Sequence, residues 1–242
     1  MKRRAPEGIY GFRGAMGEVC HLLVDGKDAW LLDAGLAGQP LFLRNRLRRL
    51  GLEPSAIRGI LLTHGHLDHV GNLAALKEWT GAPVYAHAAE QRYIDGCYPY
   101  QGVARWCGRL ESAGRRTFHY RAAKIDETIE EGDLLPFWGG LRVIHLPGHT
   151  EGHCGFYSER HGFLFSGDLY ASYFFNTHLP PPILNSCPEL IPGSLRRVLE
   201  MDPEGILPNH YDWMDIDLHK RRFQTLCGRV LHSGGEGGMD DE

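Results

Sequence analysis

The chain has 242 residues, enough for one large domain or two small ones, and its 43% hydrophobic content can fill a buried core. A formal charge of −4 argues against a nucleic-acid partner, and no apolar run approaches the ~20 residues of a membrane span. Six scattered cysteines without a CxxC pair exclude zinc-ribbon and thioredoxin-like frameworks, whereas 14 histidines raise metal chemistry.

The basic start, Met1-Lys2-Arg3-Arg4, runs into Pro6 and Gly8 with no apolar stretch behind it. A secretory leader is therefore not expected, and the cysteines read as reduced thiols of a cytoplasmic protein. Residues 19–24 and 29–33 are short apolar runs separated by Asp25-Gly26, the signature of a β-hairpin. Leu41, Leu43, Leu47 and Leu50, spaced among arginines, predict a helix stopped at Gly51.

From there the pattern alternates. Residues 60–62 predict a strand, 70–80 a helix ending at Gly81, and 83–86 another strand. Strands are predicted at 141–146, 163–165 and 205–207, with a helix at 194–201. Such alternation predicts sheets covered by helices in one domain over residues 1–232. Two stretches stand apart. Residues 92–124 are basic and aromatic and look inserted, and residues 170–193 are rich in proline and aromatics. The Gly-rich acidic tail, residues 233–242, is expected to be disordered.

The densest chemistry lies in Thr63-His64-Gly65-His66-Leu67-Asp68-His69, between a predicted strand and a predicted helix. An extended backbone sends His64, His66 and Asp68 to one side, and His69 follows as the chain turns. Imidazoles with a carboxylate suit zinc, iron or manganese. Four candidate ligands exceed the three that a mononuclear zinc site needs, which makes a second ion plausible. His149, Asp168 and His210 each follow a predicted strand, where α/β sheets place their sites, and one carboxylate such as Asp168 can bridge two ions. Asp33 reads either as a group orienting a ligand histidine or as a turn cap. His87, His145, His153 and His178 read as structural or as supports behind the ligands.

At these residues the chain resembles the metallo-β-lactamase-fold hydrolases, in the branch of the lactonases and hydroxyacylglutathione hydrolases. His64-Gly-His66-Leu-Asp68-His69 matches their HxHxDH signature. Pro147-Gly148-His149, Ser166-Gly167-Asp168 and Pro208-Asn209-His210 match the later motifs in order. The resemblance implies a four-layer αββα sandwich of two mixed β-sheets with the site at one edge. It implies one metal on His64, His66 and His149 and a second on Asp68, His69 and His210, with Asp168 bridging.

The implied activity is hydrolysis of a small ester, lactone or thioester by a metal-bridging hydroxide, with Asp68 catalytic and two divalent ions, zinc first and iron or manganese after it. Tyr170 and Tyr173, just beyond Asp168, are candidate substrate contacts or else packing residues. A mononuclear non-haem iron persulfide dioxygenase of the same fold, or a phosphodiesterase or nuclease, stays open as an alternative. The expected partner is a small molecule. The 92–124 segment reads either as a cover over the substrate pocket, with Arg105, Arg109, Arg115 and Arg116 drawing an anionic group, or as a helical pair packed on the sheet or across a homodimer.

Overall fold

The structure is a computed structural model that describes residues 5–14, 16–36, 39–173 and 176–232. The tail at 233–242 lies outside them. One sheet takes strands β1 (Ile9–Arg13), β2 (Val19–Asp25), β3 (Asp28–Leu32), β4 (Ile57–Leu61), β5 (Val84–Ala86) and β6 (Glu127–Thr128) in that order. The first three are antiparallel and the rest parallel. The other sheet runs β11 (Asn176–His178), β10 (Phe163–Tyr173), β9 (Cys154–Ser158), β8 (Leu141–His145) and β7 (Leu134–Leu135). Strand β12 (Gly205–Tyr211) lies parallel to β10 on its other side.

The apolar runs serve two faces at once, because neighbouring side chains in a strand point oppositely. Leu23, Leu32, Leu61, Phe156, Phe163, Phe165 and Leu207 fill the core between the sheets. Leu22, Leu31 and Ile60 instead pack on Leu43, Leu47, Leu73 and Leu76. Those leucines belong to helices α1 (Gln39–Leu50) and α3 (Leu73–Thr80). On the far side Leu146, Leu164 and Ile206 meet Leu195, Val198, Phe223 and Leu226 of helices α6 (Ile191–Met201) and α7 (Ile216–His232). Three cores separate four layers, α/β/β/α, as the resemblance implies. No helix among the described residues is long and apolar enough to cross a membrane.

The β2–β3 hairpin pairs Asp25 with Asp28, leaving two turn residues, and Gly26 adopts φ +62° at the first of them. Elsewhere the boundaries differ from the sequence reading. The helix expected over 70–80 is two: α2 (Leu67–Val70) and then α3. The break falls at Asn72, whose Nδ2 donates to the carbonyls of Ala34 and Leu36 and ties the chain to the loop after β3. The strands expected at 163–165 and 205–207 run on to Tyr173 and Tyr211, so Asp168 and His210 lie within strands rather than after them. Residues 170–193 are only in part a loop, since they finish β10, form β11 and open α6. Within 92–124 lie the end of α4 (Gln91–Ile94) and the helix α5 (Arg105–Thr117).

Candidate metal centre

The seven residues singled out above converge beyond the ends of β4 and β8, at the middle of β10 and near the C-terminal end of β12. Single ligand atoms of His64, His66 and His149 lie within 4.8 Å of one another, as do those of Asp68, His69 and His210. Asp168 joins the two groups. Its Oδ2 is 3.7 Å from His149 Nε2, 3.5 Å from His69 Nε2 and 3.3 Å from His210 Nε2. Asp68 Oδ2 is 3.5 Å from both His69 Nε2 and His210 Nε2.

Four of the five imidazoles are oriented by an outer partner that takes the Nδ1 proton and leaves the Nε2 lone pair facing inward. His64 Nδ1 donates to Thr63 Oγ1 at 3.0 Å, because that hydroxyl spends its own proton on Asp33 Oδ2 at 2.9 Å. His69 Nδ1 donates to Asp33 Oδ2 at 3.1 Å. His149 Nδ1 donates to Asn185 Oδ1 at 3.0 Å. His210 Nδ1 donates to Tyr173 Oη at 3.0 Å, and that hydroxyl donates to Gly17 O.

This set fits cations. His64 Nε2, His69 Nε2 and Asp168 Oδ1 are buried with no hydrogen-bond partner, a costly arrangement unless something else satisfies them. His66 Nδ1 faces His149 Nε2 at 2.9 Å. Burial pushes the His149 imidazole down to about 3 and that of His66 to about 4, so both stay neutral and able to ligate. Burial opposes charge on Asp68 and Asp168 too, but with no ion bound these carboxylates raise the His69 and His210 imidazoles, and the protonated rings in turn hold both carboxyls well below the ordinary range; a cation would take the place of those protons.

Asp168 is placed by its backbone. Its N–H donates to His153 Nε2 at 2.9 Å, and His153 Nδ1 donates to Leu146 O, which gives His153 a structural role. The preceding Gly167 sits at φ +56°, and a Cβ there would lie 2.4 Å from His153 Nε2. Only glycine tolerates both conditions, and the bulge it makes in β10 turns Asp168 into the site.

The two candidate substrate tyrosines part company. Tyr170 is fully buried in the core beneath α7, and its hydroxyl donates to His219 O. It does not reach the centre. Tyr173 does, through His210 rather than through the cavity.

Several contributors were not read from the sequence. Glu111 of α5 accepts from Leu67 N at 2.8 Å and from Tyr100 Oη at 2.9 Å, bracing the loop that carries the ligands. Glu90 is fully buried and links two ligand loops, accepting from Gly65 N at 2.6 Å and Gly152 N at 2.8 Å. Burial pushes the Glu90 carboxyl up to about 7 against those two donors. The available signal was a lone acidic residue between two alanines and the apolar Tyr93-Ile94. Glu90→Gln turns an amide N–H towards one of the two backbone donors. It should cost about 1–3 kcal/mol of stability, read by thermal unfolding; an unchanged melting temperature would remove Glu90 from the frame.

A cavity of about 440 Å³ opens on Asp68, Asp168, His149 and His210. Its other wall includes Cys107, Leu110, Glu111 and Gly114 of α5, so the 92–124 segment does border the candidate site. The four arginines expected to draw an anion there do not. Arg105, Arg109, Arg115 and Arg116 line a separate cleft of about 770 Å³. Arg115 spends its guanidinium on Tyr93 O and Ile94 O, and Arg109 lies over Trp106.

A family model described as the metallo-beta-lactamase superfamily matches residues 13–206. Hydroxyacylglutathione hydrolase GloC of Haemophilus influenzae is 30% identical over 163 residues, covering 64% of this chain and 68% of that protein. Among solved structures, the metallo-beta-lactamase family protein TTHA1429 of Thermus thermophilus superposes with a TM-score of 0.72 at 23% identity, over 93% of this chain and 80% of that one. TTHA1623 in a di-iron-bound form gives a TM-score of 0.65 at 28% identity, over 88% and 98%.

Proposed function

Since the chain belongs to the metallo-β-lactamase superfamily and is a metal-dependent hydrolase, we propose that it holds two divalent ions, zinc by preference, and cleaves a small ester, lactone or thioester. The observation that carries this reading is the double ligand set, His64/His66/His149 and Asp68/His69/His210, with Asp168 reaching histidines of both. The likeness to a hydroxyacylglutathione hydrolase supports an acyl substrate, and the di-iron form of TTHA1623 keeps iron in view.

Two ions held there supply Lewis acidity and a water nucleophile at neutral pH. The protein's own part follows from its hydrogen bonds. Thr63, Asp33, Asn185 and Tyr173 hold four imidazoles in the ligating tautomer. Asp68, ionised and lining the cavity, orients the nucleophile and carries a proton to the leaving group at its carboxylate. The apolar wall above it limits competing water.

Elemental analysis of fully loaded protein should return close to two equivalents of metal. A saturating stoichiometry of one would overturn the binuclear reading in favour of a mononuclear iron dioxygenase. A parallel screen of lactones, thioesters, carboxylic esters and phosphodiesters should find turnover in the acyl group only.

A further inference from the structure

The candidate cavity is sided. Part of its lining is the ligand cluster, and apart from Glu111 and Gly114 the rest is apolar: Met16, Leu67, Cys107, Leu110, Phe118 and Leu184. Among the described residues no lysine or arginine lines it, although four arginines stand on the same inserted segment. Leu110, Phe118 and Met16 stay strongly exposed at the mouth, Leu110 at 61%. Single exposed apolar residues mean little, but a contiguous group facing one cavity marks a binding surface.

The spacing along α5 explains how the wall arises. Leu110, Gly114 and Phe118, spaced four apart along α5 and its C-terminal cap, all line the cavity. Gly114 is the gap in that row. A Cβ at this position would come 2.7 Å from Leu67 Cδ2, so its absence lets α5 lie close over the start of α2, which carries Asp68. From Leu110 to Phe118 the face extends for about 12 Å at the helical rise. The volume, about 440 Å³, falls within the range of small-molecule pockets.

We infer that the substrate carries a neutral, apolar arm, laid along the Leu110–Phe118 side of the cavity, and has no anionic group at its far end. A carboxylate or phosphate placed there would meet no cation among the lining residues. The inference rests on the acyl-hydrolase reading above, and the two are separable by experiment.

The test is a series of straight-chain acyl thioesters from two to ten carbons, set beside the matching series ending in a carboxylate. For the alkyl series, kcat/KM should rise about three- to fourfold per methylene until the face is covered. The carboxylate-ended series should trail by at least tenfold. Leu110→Lys, at an exposed position that the fold does not need, should flatten the alkyl series and narrow that gap. The corresponding alkyl amides, titrated calorimetrically into metal-loaded protein, read the pocket without turnover. Their affinity should increase with length, with a negative heat-capacity change. Length-independent binding, or preference for the carboxylate-ended ligands, overturns the assignment. Length-dependent amide binding with no turnover of any acyl compound leaves the apolar arm standing and overturns the hydrolase chemistry proposed above.

Discussion

Asp68→Asn is expected to lower kcat by roughly two to four orders of magnitude, the scale of lost general acid–base work, in a protein that still folds. Asp68 lies in the first turn of α2 with its carboxylate towards the cavity and Oδ2 3.5 Å from both His69 and His210. Its partners are other members of the site, so the three cores do not depend on it. Asparagine keeps the shape and removes the charge and the basic oxygen. The measurement is kcat on an accepted ester at saturating metal, so that weaker binding of the ion beside His69 does not pass for lost chemistry. A kcat within tenfold of the parent enzyme would remove Asp68 from proton transfer and leave it a ligand alone.

What the sequence made legible follows the range of the interactions. The 64–69 cluster is local, since its grouping depends only on strand and loop periodicity within six residues. The two faces of each buried strand were not legible, because a continuous apolar run such as Phe163-Leu164-Phe165 hides which side chain joins which core. Asp168 and His210 were found as residues but misplaced in their elements. A parallel partner strand extends β10 and β12 beyond their apolar segments, and pairing of that kind has no local signal.

The outer partners of the ligands were mostly illegible for the same reason. His149 and Asn185 are separated by 36 residues, and Gly65 and Glu90 by 25. No spacing rule joins them. The arginines of 92–124 show a further limit. Composition located the basic segment, but helical phase decided that its charges line one cleft while its apolar residues line another. Tyr170 and Tyr173 teach the same lesson within a strand. Tyr170 turns into the core under α7, whereas Tyr173, three residues on, turns to His210.

Asp33 was read either as a cap or as an orienter, and its contacts make it the hub of the frame. It is fully buried and accepts from Thr63 N, Thr63 Oγ1, His69 Nδ1 and Asn209 Nδ2. Those bonds join the loop after β3 to the ligand loop, to α2 and to β12. Asp33→Asn is a clean probe because the backbone there has φ +61°, a left-handed conformation that asparagine adopts readily and most residues resist. The new amide must point N–H groups at donors that formerly met a carboxylate. Orphaning even one buried donor should cost about 1–3 kcal/mol. His69 would also lose the partner that fixes its tautomer and strengthens its basicity. Metal affinity at its site should fall about 10- to 100-fold, the usual cost of losing such a partner. Competition against a chelator of known affinity measures this, alongside thermal unfolding of the metal-free protein. A lower melting temperature with metal affinity unchanged within twofold would mean that Asp33 only buttresses the fold. The expected result is that both fall, with the ion beside His69 released first.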